Sequence, residues 1–302
     1  MSLKLRRLSH ALGAEVLDID LRQPLSADQV AEIRAAWMQH QVLLFREQAI
    51  TPSQQIAFTE QFGPVDDYPL VHFRHPEHPQ LMVLSSDPDA GSKSTTRAAG
   101  ERWHTDLSFT TRPATASMLH AQKIPSVGGD TMFANQYLAY EALSPMLRRV
   151  IEPLETVHEL FSGRAEFKTL DVAKMMEMRA ANPPVAQPMV RVHPETGRAA
   201  LYVSPSLSSR IVGMSADESA GLLSHIKQVC VSPQFVYRHH WCVGDVLMWD
   251  NRCLLHIAVQ DYDKREHRLM YRTTITGEIC GRLLEEALTA TPSPTQLAVA
   301  NS

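Results

Sequence analysis

Residues 245–259 read DVLMWDNRCLLHIAV, two short apolar runs at 245–249 and 254–259 broken by polar residues. Each run has the length of a buried strand and falls short of a helix. The same rhythm continues on both sides. Strands are expected at 80–85, 114–121, 130–134, 154–158, 188–193, 198–203, 235–241 and 267–276, with HPETG at 193–197 as a hairpin turn. Many short strands separated by turn residues point to a sandwich or barrel.

The first sixty residues and two later stretches read differently. AEVLDIDL at 14–21 alternates partly and predicts a strand. Ser26, with Gln29 three residues on, has the form of a capping box that opens a helix bearing Val30, Ile33 and Trp37 on one face. VLLF at 42–45 is a short buried strand, and Thr51-Pro52 starts a second helix that Gly63 stops. Further helices are expected at about 136–152 and 216–229.

The 302 residues are 44% hydrophobic and 21% charged, the composition of an ordinary soluble globular protein. A chain of this length can bury a core without disulfides or structural metal. Twenty-nine basic against 33 acidic residues give a net charge of −4, which leaves no footprint for nucleic acid and no polybasic membrane patch. The N-terminus lacks the apolar stretch of a secretory signal, and no apolar run approaches a membrane span. Cys230, Cys242, Cys253 and Cys280 have no CxxC spacing and read as free thiols in a reducing cytoplasm. One domain over 1–285 is expected, with insertions near 86–101 and 160–186 that read as active-site lids or as surface and oligomer contacts. Residues 286–302 read as a disordered tail. A homo-oligomer, dimer or tetramer, is expected.

The chemistry is carried by four scattered pieces. In Trp103-His104-Thr105-Asp106, a His and an Asp two apart in an extended segment share one face. Two His and one carboxylate on one face of an octahedron leave open positions of the kind iron(II) oxygenases use. An HxD alone is common by chance, and the third ligand must come from elsewhere. His256 is the candidate, on an apolar strand where a satisfied core histidine is the competing reading. In HRLMYRTTITG, Arg268 and Arg272 lie four apart, so on a strand both guanidiniums face one side and Leu269 and Tyr271 the other. Two arginines on an apolar strand need an anion, such as a dicarboxylate held bidentately, unless the strand is an edge with solvated side chains. Gly128-Gly129-Asp130-Thr131 ends a turn, and Thr131 could donate a hydrogen bond.

In this order, WHTD, GGDT, WDNR followed by His, and RxxxR resemble the taurine dioxygenase and aryloxyalkanoate dioxygenase family. QFG, IPSVGGDT, AYEALSP, VHPETG and SRIVGMS resemble it too, so the likeness covers roughly residues 8–280. It implies a mainly β fold with flanking helices, a double-stranded β-helix or jelly roll. It implies iron(II) on His104, Asp106 and His256, with 2-oxoglutarate and O2 as co-substrates. The distal carboxylate of 2-oxoglutarate would meet Arg268 and Thr131, and Arg272 would lie near the acid of the primary substrate. The implied reaction hydroxylates a small organic acid and releases succinate and carbon dioxide. Related halogenases lack the carboxylate that Asp106 supplies here, which favours hydroxylation. Competing readings are a non-catalytic 2-oxoglutarate-binding jelly roll, a zinc hydrolase on the same three ligands, and an oxygenase for an amino acid or natural-product intermediate.

Four positions depart from taurine dioxygenases. The sulfonate-binding His is Tyr68, the Tyr near the amine is Val71, an Asn before the first iron ligand is Gly100, and an aromatic wall is Leu207. A buried amine without partners is disfavoured. The expected substrate is therefore an acid with an apolar body, a sulfonate, sulfate ester or aryloxyalkanoate rather than taurine. Leu107, Phe109 and Leu207 are candidates for the apolar lining, with core packing as the alternative. His72, His75, His78, His239 and His240 read as surface or strand residues, and Cys253 as packing.

Overall fold

The computed structural model describes residues 3–65, 73–87, 100–160, 180–263 and 265–284. Its strands are Lys4–Arg7 (β1), Ala14–Leu17 (β2), Val42–Phe45 (β3), Met82–Ser85 (β4), Ala116–Lys123 (β5), Thr131–Asn135 (β6), Glu155–His158 (β7) and Val185–Pro188 (β8). They continue as Val190–Val192 (β9), Ala199–Leu201 (β10), Ser208–Ile211 (β11), Val236–His239 (β12), Val246–Asp250 (β13), Leu254–Ala258 (β14), Leu269–Ile275 (β15) and Arg282–Leu283 (β16). The helices are Ala27–His40 (α1), Pro52–Glu60 (α2), Gln136–Glu141 (α3), Pro145–Ile151 (α4) and Ala216–Cys230 (α5). The chain is thus mainly β with flanking helices.

A seven-stranded sheet runs in the order β1-β2-β3-β13-β5-β15-β4, and a three-stranded sheet in the order β12-β6-β14. Strands β11-β7-β8-β16 form a further sheet, and β9 and β10 form the hairpin expected around HPETG. Alternation along the strands sorts side chains between faces. On the large sheet, Ala116, Met118, Val246, Met248 and Ile275 join a core with Ile33, Trp37, Phe58 and Phe62 of the α1–α2 region. The opposite face sends Leu44, Leu119, Leu247, Trp249 and Met270 against Phe133 and Leu254 of the three-stranded sheet. Strand β3 therefore has no polar face, and VLLF is buried at every position. The outer face of the small sheet, with Ala134 and Leu255, is covered by α3, α4 and α5. By the same alternation Ser117, Thr131, His256 and Arg272 point between the sheets, alongside Leu119, Phe133, Leu254 and Met270.

Local signals account for the helix ends. Ser26 and Gln29 form the expected capping box of α1, and Thr51 and Gln54 form one for α2, whose first residue is Pro52. Several expected boundaries are corrected. The helix expected over 136–152 is two, because Ser144 caps a new start and Pro145 opens α4. The strand expected over 188–193 is divided at Met189 between β8 and β9. AEVLDIDL is strand only to Leu17, since Asp18 turns the chain with φ 61°. Residues 103–106 are not a continuous strand: His104 makes one bridge to His256, and a turn begins at Asp106.

All four cysteines are free thiols. No helix among the described residues is long and apolar enough to cross a membrane. Of the expected insertions, 88–99 and 161–179 lie outside the described residues, as do Tyr68, Val71, His72 and the tail from 285.

Candidate metal centre and anion pockets

The triad forms where the loop after β4 meets β14. His104 donates its main-chain N–H to the carbonyl of His256 at 3.0 Å, and His256 returns the bond at 2.8 Å. This bridge brings the two imidazoles together, tilted by 45° with ring centroids 4.2 Å apart. Asp106 completes the set: Nε2 of His104 is 3.8 Å from its Oδ1, and Nε2 of His256 is 3.8 Å from its Oδ2. These separations are too long for hydrogen bonds, yet the three ligand atoms lie within 4.8 Å of one another. The atoms converge without satisfying one another, as a shared ion requires.

The protonation states fit a metal. Nδ1 of His104 lies 2.7 Å from the carbonyl of Arg102. A carbonyl only accepts, so Nδ1 carries the hydrogen and Nε2 presents its lone pair to the site. Burial, and then the neighbouring His104, pushes His256 down to about 3, so its imidazole is neutral near pH 7. Its Nδ1 is buried and finds no hydrogen-bond partner among the described residues, leaving Nε2 as the atom turned to the triad. Burial alone would raise the Asp106 carboxyl. Arg272, the two imidazoles and the Ser117 hydroxyl overcome this and hold it well below the usual carboxylate range. Metal ligands must be deprotonated in this way.

Arg272, on β15, reaches Oδ1 of Asp106 through NH1 at 3.1 Å, and both side chains are buried. Arg268 lies just before β15. Its Nε donates to the carbonyl of Gly129 at 2.9 Å, and NH2 lies 3.4 Å from Oγ1 of Thr131. Trp241 also donates to Thr131 Oγ1, at 3.0 Å, and its ring lies under the Arg268 guanidinium at 5.9 Å. With these donors on its oxygen, Thr131 keeps its own hydroxyl hydrogen for a further acceptor. Burial lowers Arg268 to about 10, still charged at neutral pH. The two arginines thus share an inner face, while Tyr271 turns outward against His75.

Leu107 and Phe109 follow Asp106 in the turn, both half-buried, and Leu107 adopts φ 57°. Leu207 is buried in the turn before β11, and its carbonyl accepts from the N–H of Glu159. His239, read from sequence as a surface or strand residue, is a fully buried member of β12 that contacts Asp245.

A second cluster, His193, Asp250 and Cys253, also brings ligand-type atoms together. It does not suit a metal. Nδ1 of His193 accepts from the N–H groups of Glu195 and Thr196, so Nε2 is the donor to Asp250 at 3.0 Å. Arg252 takes both Asp250 oxygens and also reaches Glu195 at 2.7 Å, and Glu195 binds Arg34. These bonds clamp the WDNR turn to the hairpin. Cys253 packs with Tyr137 and Ala200, away from the triad.

Sequence reasoning passed over three residues near the site: Ser117, Asn251 and Trp241. Asn251 stood in a quoted stretch and Trp241 at the end of an expected strand, both without a role. Ser117 carried no signal, since a lone Ser inside an apolar strand says nothing about what faces it.

The family model described as "Taurine catabolism dioxygenase TauD, TfdA family" matches residues 4–274. An alpha-ketoglutarate-dependent 2,4-dichlorophenoxyacetate dioxygenase from Cupriavidus pinatubonensis is 34% identical over 91% of this chain and 98% of its own length. An alkylsulfatase from Acinetobacter baylyi is 33% identical over 92% of this chain and 86% of its own. The crystal structure of a taurine dioxygenase from Burkholderia xenovorans superposes with a TM-score of 0.80 at 34% identity, covering 99% of each chain.

The ion pair between Arg272 and Asp106 generates a test in the metal-free protein. Removing one partner of a buried pair leaves the other uncompensated, at a cost of about 3–5 kcal/mol. Arg272→Met should lower the metal-free stability at pH 7 by that amount in urea unfolding. A loss below about 1 kcal/mol, the scale of an exposed pair, would show that the carboxylate does not depend on Arg272.

Proposed function

Because the chain belongs to the TauD and TfdA family of taurine catabolism dioxygenases and is an alpha-ketoglutarate-dependent dioxygenase, we propose that it hydroxylates a small organic acid with an apolar body, using iron(II) on His104, Asp106 and His256. The observation that carries this reading is the convergence of three deprotonated ligand atoms beside two inward-facing arginines. Iron(II) bound there supplies the activation of O2 that couples oxidative decarboxylation of 2-oxoglutarate to hydroxylation of a C–H bond.

The chain's residues divide the work. Arg268 is anchored by Gly129 and lies over Trp241, so its remaining N–H groups meet a carboxylate with little freedom left to lose. Thr131 adds its hydroxyl. Together they receive the distal carboxylate of 2-oxoglutarate. Four residues along a strand span about 13 Å, so the Arg272 head is a second anion station and not part of the first. Arg272 receives the acid of the primary substrate while one of its N–H groups stays on Asp106. A ligand set of two His and one carboxylate leaves positions open for co-substrates, and a zinc hydrolase on the same ligands would leave the two arginines and Thr131 without a role.

For the apolar end we assign Leu107, Phe109 and Leu207, and we keep Tyr68 as a substrate residue on its sequence position alone. Support comes from the chemistry in the names of two relatives, an aryloxyacetate in one and alkyl sulfates in the other, each an anion on an apolar body. The taurine dioxygenase among the structural neighbours is the counterexample to test. We read the two facing sheets as a double-stranded β-helix within one domain over 1–285. We further propose a homo-oligomer, dimer or tetramer, working in the cytoplasm on free small molecules.

Two measurements test this. Arg268→Ala would leave the co-substrate carboxylate buried and unpaired, a cost on the order of 2–5 kcal/mol. The KM for 2-oxoglutarate should rise well over tenfold, and an unchanged value would move that role to Arg272. A panel of aryloxyalkanoates, sulfate esters, alkyl sulfonates and taurine, assayed by oxygen consumption with iron(II) and 2-oxoglutarate, tests the substrate. Hydrogen-bonding sites discriminate more steeply than apolar ones, so several apolar acids should turn over and taurine should be poor. Taurine emerging as the best substrate would overturn the reading of the pocket.

A further inference from the structure

Beneath the Asp106 carboxylate lie Asn251 and Ser117, both with no exposed surface. The orientation of the Asn251 amide follows from what surrounds it. The indole Nε1 of Trp249 can only donate, and it lies 2.9 Å from Oδ1. The main-chain N–H of Asp106 donates to the same oxygen at 3.3 Å. The amide nitrogen therefore faces Ser117 Oγ at 3.1 Å. That nitrogen can only donate, so Ser117 accepts there and directs its single hydrogen elsewhere. It goes to Oδ2 of Asp106, 2.7 Å away. The hydrogen bonds thus run with one sense from Trp249 through Asn251 and Ser117 to the carboxylate.

The relay is fixed at Asn251. Thr105 Oγ1 donates to the main-chain carbonyl of Asn251 at 2.7 Å, and the Asn251 N–H donates to the carbonyl of Thr115 at 2.9 Å. Asn251 therefore holds the main chain at Asp106 directly and its carboxylate through Ser117. The residue after Asp106, Leu107, has φ 57°, a conformation unfavourable for a branched side chain. The turn that aims the carboxylate is held against that preference.

We propose that Ser117 and Asn251 are positioning residues for the metal, a relay that sets the Asp106 carboxylate facing His104 and His256 before an ion binds. Neither residue touches the ion or the co-substrates. Their effect is on metal affinity, because a ligand already in place has less freedom to lose. Partners of this kind typically alter metal affinity by about 10- to 100-fold. The inference rests on the reading of His104, Asp106 and His256 as the ligands.

The test is a titration with Mn(II), which is stable in air, following free Mn(II) by electron paramagnetic resonance without co-substrate. Ser117→Ala should weaken Mn(II) binding about 10- to 100-fold, and Ser117→Thr, which restores a hydroxyl, should recover most of it. Asn251→Ala should move affinity the same way, since the Ser117 hydroxyl is then free to turn from Asp106. If Ser117→Ala does not fold, Ser117→Cys offers similar bulk with only a weak donor and decides the matter. A merely structural role would lower the melting temperature and leave the Mn(II) affinity of the folded protein unchanged, which would overturn the proposal. His104→Ala separates the two levels. If it binds Mn(II) as tightly as the native chain, the ligand reading fails and this inference with it. If it loses binding while the Ser117 and Asn251 variants do not, only the relay fails.

Discussion

A carboxylate buried between two sheets is the constraint on which the site depends. Asp106 is 5% exposed, and an ionised group taken out of water is expensive unless it is paired and hydrogen-bonded. Its compensation comes from other strands: Arg272 on β15 and Ser117 on β5 bind the carboxylate, and Asn251, in the turn between β13 and β14, donates to Ser117. The inner faces of the sheets must meet in register for these groups to converge. A one-residue slip would send each strand's inner side chains to the helix side.

The same economy of faces explains the rest of the space between the sheets. Apolar side chains at alternate positions fill most of the space between the sheets, with Leu119, Phe133, Leu247, Trp249 and Met270 in one cluster. The polar positions on those faces are few, and several are tied to one another. Thr131 is held by Trp241 and Arg268, while the His104–His256 bridge joins the loop to the small sheet. Burial lowers the proton affinity of His256 and Arg268 without discharging the arginine at neutral pH. Neutral imidazole and charged guanidinium are the states that metal binding and carboxylate binding require.

Much of this was legible in the sequence. VLLF and the runs in 245–259 could be read as strands because burial on both faces demands continuous apolar residues. Ser26-Gln29 could be read as a helix start because capping chemistry is local. His104, Asp106, Arg268 and Arg272 stood out because their spacing within single segments already implied shared faces. Other features are set by partners far along the chain. Strand β1 is KLRR with all four residues exposed, and β11 is SSRI, so neither shows the alternation that marks a strand. The clamp linking His193, Asp250, Arg252 and Glu195 joins a hairpin to a distant turn, and only folding brings its residues together. Ser117 acquires meaning only because β5 lies beside β13 and faces the loop that carries Asp106.

On the proposed reading, His104, Asp106 and His256 hold iron(II) in an open site that accepts 2-oxoglutarate as a chelating co-substrate. The direct measurement is anaerobic optical titration of the purified protein with iron(II) and 2-oxoglutarate. Native protein should develop a visible charge-transfer band that saturates at one equivalent of iron per chain, and His256→Ala, folded by circular dichroism, should not. A native protein with no band, or a band of equal strength in His256→Ala, would contradict the account.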